Sequence, residues 1–196
     1  MIGNDVIDLQ KASQHSKIDH PRWQTKVLTP SEIEQLPLFP NLCHALWSFW
    51  ALKESAYKVF FKKTAFKGFI PKKLICTFSS PFQAEVRTPA GLFWGRIHRC
   101  SSYLHAVVVE EKLLLPQIQW AVHPLLSTDY PVQSKSVRRH LLQSLSRHCR
   151  LPYEELGICK KQHFPRVVFQ NKATAVDVSM SHHYYWGAYA FLQAED

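Results

Sequence analysis

Apolar and polar positions alternate differently in different parts of this chain, and the changes of period mark its elements. Ile2 to Leu9 reads as a short strand running into a loop, with Gly3 allowing a close backbone approach. Thr29-Pro30-Ser31-Glu32 has the form of a capping box with proline in the first helical position, so a helix is expected there, stopping near Pro37. Pro40-Asn41 then opens a long aromatic helix over Leu42 to Lys63. After Lys67-Gly68 the pattern shortens to β runs, L-I-C-T-F, A-E-V-R-T, L-F-W-G-R-I-H-R and Y-L-H-A-V-V-V-E, divided by Ser-Pro, Pro-Ala-Gly and Ser-Ser turn signals. Pro116 to Pro131 reads as a linker. Beyond it the sequence predicts an amphipathic helix over Lys135 to Arg150, with Val137, Leu141, Leu142 and Leu145 on one side, and then strands at R-V-V-F-Q, T-A-V-D-V-S-M-S and W-G-A-Y-A-F-L.

Two segments look alike. S-S-Y-L-H-A-V-V-V-E, from Ser101, and S-H-H-Y-Y-W-G-A-Y-A-F, from Ser181, each follow a helix and strands and run from polar residues into an apolar strand. The expected architecture is therefore α+β, with two similar lobes: residues 1–115, a linker over 116–131, and residues 132–196.

Composition narrows the class of partner. The chain of 196 residues carries a formal charge of +9, which favours an anionic partner. Its 5 cysteines include no C-x-x-C pair, so neither a zinc ribbon nor a disulfide framework fits, and reduced thiols in the cytoplasm are expected. The first residues do not have the form of a signal peptide, and no apolar run reaches the length of a membrane helix.

The chemistry sits where the pattern is broken. On a helical wheel Leu46, Phe49, Trp50, Tyr57 and Phe60 form an apolar stripe, and Lys53 falls inside it. Glu54 lies at its edge between Trp47 and Phe61, with Lys58 one turn further on the same side. A buried lysine must be paired or lose its proton, and the alternative is that Lys53 snorkels while Glu54 and Lys58 make an ordinary surface pair. Asp5 and Asp8, in the N-terminal strand, could meet a helix carboxylate, and two carboxylates with water and phosphate oxygens suit Mg²⁺. Ser179 to His183, S-M-S-H-H, places hydroxyls and imidazoles at the mouth of a strand, where they could bind phosphate. Taken singly, each of these features reads first as a turn or a solvated face.

In order along the chain, G-x-D at Gly3 to Asp5, W-x-x-K-E-x-x-x-K from Trp50 to Lys58 and S-x-S-H from Ser179 to His182 resemble the 4′-phosphopantetheinyl transferase superfamily. V-L-T-P-S-E-I-E-Q-L is similar to that family's first helix, and F-K-G-F-I-P follows the K-E helix as its K-G does. The resemblance implies transfer of the phosphopantetheine arm of coenzyme A to a serine of an acyl or peptidyl carrier protein. It implies Asp5 and Glu54 as Mg²⁺ ligands, and Glu54 as the group that helps deprotonate the serine. Lys58, Ser181, His182 and Arg139 would bind the phosphates of coenzyme A.

The motif spacing is like that of the small holo-acyl-carrier-protein synthases. The additional segment, about Gln117 to Gln170, is similar to a lobe of the two-lobed, surfactin-synthetase-activating type, with the lobe order reversed. The resemblance thus implies a monomer with one site between its lobes. Ile7 stands where the two-lobed type has a third acidic ligand, and H-F-P, His163 to Pro165, stands for its G-K-P. Phosphate contacts could then fall to Lys160, Lys161, Arg166 or Arg139, while Asp8 caps a turn or pairs with Lys53. The competing reading is a non-enzymatic single-stranded nucleic-acid or interaction module. Scattered basic residues and the absence of an RNA-binding motif count against it, so no nucleic-acid partner is expected.

Overall fold

A computed structural model of the chain describes residues 1–15, 18, 20–161 and 164–193. Its first unit is strand β1 (Ile2–Asp8), helices α1 (Leu9–His15), α2 (Pro21–Val27), α3 (Pro30–Ile33) and α4 (Leu42–Thr64), then strands β2 (Ile75–Ser80), β3 (Gln83–Thr88), β4 (Gly91–Arg99) and β5 (Tyr103–Val109). The strands form one sheet in the order β1-β5-β4-β3-β2, antiparallel throughout. Helix α4 lies across it and buries Leu46, Phe49, Leu52, Ala56 and Val59 against Ile7, Val86, Phe93, Ile97 and Leu104.

The second unit repeats that plan. Strand β6 (Gln119–Pro124) is followed by α5 (Tyr130–Cys149), then by β7 (Leu156–Lys161), β8 (Phe164–Phe169), β9 (Lys172–Ala173), β10 (Val176–His183) and β11 (Trp186–Gln193). In both units the first strand pairs with the last, and the long helix follows the first strand: β1 with β5, β6 with β11. The second set is split into the sheets β10-β11-β6 and β7-β8-β9. Val137, Leu141 and Leu145 of α5 pack on Val167, Val178, Tyr189 and Phe191. A third cluster, Ile2, Val107, Val109, Ile118, Ala190 and Leu192, joins the two units. The α+β class and the two similar lobes are those the sequence predicts.

Three boundaries differ. Residues 116–131 are not a linker throughout, because β6 lies among them and completes the second sheet. Helix α5 starts at Tyr130 rather than Lys135, since Pro131 sits in its first turn, where its missing N–H costs no hydrogen bond. The segment after β1 is helical at α1 and α2, the latter opened by Pro21 behind His20, whose side chain accepts the Arg22 N–H. The α4 forecast fails only by its last residue, and the capping box at Thr29 and Glu32 is present. No helix among the described residues is long and apolar enough to cross a membrane.

Candidate active site

Gly3 explains how the N-terminal strand reaches the long helix. A Cβ there would lie 2.0 Å from the Ser55 carbonyl oxygen, so only glycine lets β1 press against the backbone of α4. Two residues on, Asp5 is brought beside Lys58, whose ammonium donates to Asp5 Oδ1 at 3.4 Å and to the Asn4 carbonyl. Glu54, one turn earlier on α4, lines the same cleft as Asp5, together with His182 and His183 from β10 and the rings of Trp23, Trp47 and Trp50. The cleft has a volume of about 380 Å³.

The electrostatics of the two acids are unusual. Burial and the facing Asp5 charge push the Glu54 carboxyl up to about 7, although Lys58 opposes the rise. Asp5 is also raised, by burial, against the pull of Lys58. Glu54 has neither a hydrogen bond nor an ion pair among the described residues. Two carboxylates left short of positive charge in one cleft are a donor set that fits a hard divalent cation. Ile7 lines the same cleft, and as an isoleucine it offers no third carboxylate there. Among the described residues no group of three or more acidic, histidine or cysteine side chains could close around a metal, and the two acids would need water and substrate oxygens to complete a coordination shell.

A second cleft, of about 240 Å³, adjoins the first at His182 and is reached through Lys58. Its lining combines apolar groups, Tyr57, Phe61, Phe164 and Val178, with basic ones, Lys58, Lys62, Arg138 and Lys160. His182 packs edge-on to Tyr130 with ring centres 5.0 Å apart, and burial and the Lys58 charge lower its pKa.

The structure therefore brings Asp5, Glu54, Lys58 and His182 together across the two units. Ser181 goes elsewhere: it is buried, and its hydroxyl accepts the Asn4 Nδ2–H at 3.1 Å between the lobes. Arg139 lines a separate cleft beside Lys135 and His140, whereas its neighbour Arg138 borders both that cleft and the Lys58 cleft. Consecutive arginines on a helix point 100° apart, and the sequence pattern did not say which one faces inward. Arg166 stacks over Phe164 with its guanidinium 5.1 Å from the ring centre. His163 and the Lys161 side chain lie outside the described residues.

Lys53 and Asp8 are not at the site. The Lys53 ammonium is fully buried and bonded to Glu32 at 2.8 Å and to the Pro71 and Leu74 carbonyls. Thus the carboxylate it holds is Glu32, not Glu54. Asp8 accepts the Lys11 and Tyr185 N–H groups and caps the turn into α1, one of its two expected roles. Trp23 and His183 were not singled out as site residues. The proline that starts α2 was the available signal for Trp23, and the doubled histidine for His183.

A family profile described as ACPS, 4′-phosphopantetheinyl transferase superfamily, matches residues 1–108, more than half of the chain. The chain belongs to this superfamily. It is accordingly a transferase. Among solved structures it is similar to the holo-[acyl-carrier-protein] synthase of Helicobacter pylori, determined in complex with coenzyme A. That match has 19% identity and a TM-score of 0.46, and spans 57% of this chain and 100% of the other. It is also similar to the holo-[acyl-carrier-protein] synthase of Neisseria meningitidis, at 20% identity and a TM-score of 0.46 over 57% and 97% of the two chains. No curated protein matches.

Proposed function

We propose that this phosphopantetheinyl transferase moves the arm of coenzyme A onto a carrier-protein serine, with Mg²⁺ held by Asp5 and Glu54. The observation that carries the reading is the division of the site. Acids line one cleft, cations line the adjoining one, and Lys58 and His182 stand at the join. The basic cleft suits the nucleotide phosphates, and its apolar wall suits the adenine. Among the described residues the aromatic cleft has no lysine or arginine in its lining, and it suits the neutral serine-bearing loop of the carrier.

In that arrangement the serine Oγ attacks the phosphorus bearing the pantetheine arm. The bond to the other phosphate breaks, and adenosine 3′,5′-bisphosphate leaves. Glu54, the carboxylate that lines the carrier's cleft, takes the serine proton. Lys58 has spent two of its N–H groups on Asn4 and Asp5 and offers the remaining one to the phosphates. His182 contacts the nucleotide from the second lobe. A divalent ion at Asp5 and Glu54 would neutralise pyrophosphate charge, the main requirement of phosphoryl transfer.

Because both lobes are in one chain, the working unit is a monomer, with lobes of about 1–115 and 116–196, and its place is the cytoplasm. An acidic fatty-acid, polyketide or peptide-synthase carrier matches the +9 charge. The test is mass spectrometry of an apo carrier incubated with the protein, coenzyme A and Mg²⁺. One phosphopantetheine added, and none with EDTA, is the expected result. No addition to fatty-acid, polyketide or peptidyl carriers would reject the reading.

A further inference from the structure

The site is shared between two lobes, so its geometry depends on what fixes one against the other. Strands β1 and β10 are edge strands of separate sheets and run side by side in the same direction. Side chains, rather than a ladder, satisfy the outward N–H groups of β1. Ile2 N–H donates to Asp177 Oδ2 at 2.6 Å, Asn4 N–H to Ser179 Oγ at 2.9 Å and Asp8 N–H to His183 Nδ1 at 3.0 Å, each acceptor 175 residues further along. A one-residue slip would lose all of these bonds and turn β10 over, carrying His182 out of the cleft.

Lys62 locks this register. Its ammonium donates to the Ile2 carbonyl, to Asp177 Oδ1 and to the Val178 carbonyl, each at 2.7 Å. An ammonium has three N–H donors, and all three are used. Lys62 therefore lines the basic cleft one turn from Lys58 without a proton to give a phosphate. We infer that Lys62 and Asp177 are a positioning pair, which clasps β1 to β10 and so sets His182 against Asp5 and Glu54. The pair acts through the site's shape and makes no bond to the substrate. The inference rests on the proposed function, since coenzyme A must occupy the basic cleft for the clasp to matter.

The experiment measures coenzyme A binding by calorimetry, with Mg²⁺ present, and kcat/KM for coenzyme A, in wild type, Lys62→Met, Asp177→Asn and the double variant. Each single change is expected to lower both quantities about tenfold, as a small misplacement of binding groups does. The double variant should be no worse than the poorer single one, because both open the same clasp. The carrier KM should stay unchanged. If Lys62 were a phosphate ligand, Asp177→Asn would free its ammonium and tighten coenzyme A binding, which overturns the inference. A lower unfolding temperature with unaltered kcat/KM overturns it too. Should Lys62→Met fail to fold, Asp177→Asn decides alone, because loosened and tightened binding point opposite ways. Wild type that binds no coenzyme A would reject the proposed function and the clasp with it, a result distinct from bound coenzyme A with indifferent variants.

Discussion

Lys53 and Glu54 are consecutive residues of one helix, and the molecule treats them in opposite ways. Lys53 points into the first lobe, where its charge meets Glu32 and two carbonyls with no exposed surface on either side chain. Glu32 itself is saturated, since it also accepts the Thr29 and Cys76 N–H groups. Glu54, on the next face, meets a second carboxylate instead of a cation and lacks a hydrogen bond among the described residues. A charge buried with all its partners supports the fold. A charge held near another of its own sign is a cost that folding alone does not explain, and a bound cation would relieve it.

The largest expected effect tests the second half of that contrast. Glu54→Gln removes the proton acceptor and a metal ligand while keeping the shape, and transfer to an apo carrier should fall by roughly 10²–10⁴-fold. Steady-state rates at saturating coenzyme A measure this, and a loss under tenfold would take Glu54 out of the chemistry. Next comes the first half. Lys53→Met leaves the Glu32 carboxylate buried and unpaired, so stability should drop by about 3–5 kcal/mol in urea unfolding. Adding Glu32→Gln, which keeps an acceptor for Cys76 but removes the orphaned charge, should recover part of it. If the double variant is the less stable, the buried pair is not the cause.

The two acids also fix a pH dependence. Glu54 has a pKa raised from the ordinary carboxylate value to about 7, so folding takes up a proton between those limits. In the absence of metal, stability should therefore be full below about pH 4.5 as far as this group is concerned and fall as pH rises through 7. Histidines whose pKa values burial lowers, among them His105 and His123, push both proteins the other way, so the test is a difference: from pH 5 to 8 the urea midpoint of wild type should fall relative to that of Glu54→Gln. Profiles that run parallel in the two proteins would mean that Glu54 is not strained. The smallest effects separate the neighbours on β10. His182→Ala should raise the coenzyme A KM about tenfold, the scale of a hydrogen bond to a charged group. Ser181→Ala should leave that KM within about twofold and lower stability by about 1 kcal/mol, because its partner is Asn4.

Much of this was legible from residue order. The α4 boundaries followed from Asn41 as a cap and a 3.6-residue apolar repeat, and Gly3 announced a close approach before its neighbour was known. That Lys53 is buried could be read from its place in the stripe, but its partner could not. Glu32 lies 21 residues away in sequence, and only the docking of α3 on the first sheet brings it close. The S-x-S-H motif misled for a similar reason. Alternate residues of a strand face opposite ways, and Ser181 and His182 are separated by that alternation: the serine serves the lobe contact, the histidine the cleft. On helix α5 the neighbours differ too: Arg138 reaches the Lys58 cleft and Arg139 does not.

The most direct measurement compares two well-folded proteins side by side in the carrier assay: Glu54→Gln, and the double variant Lys53→Met with Glu32→Gln. Both alter charge on or against the same helix. The account predicts transfer slowed by roughly 10²-fold or more in the first and transfer at close to the wild-type rate by the second. Transfer by Glu54→Gln within about tenfold of wild type, or its loss in a folded Lys53→Met/Glu32→Gln protein, would contradict the division between the charge that holds the lobe together and the charge that does the chemistry.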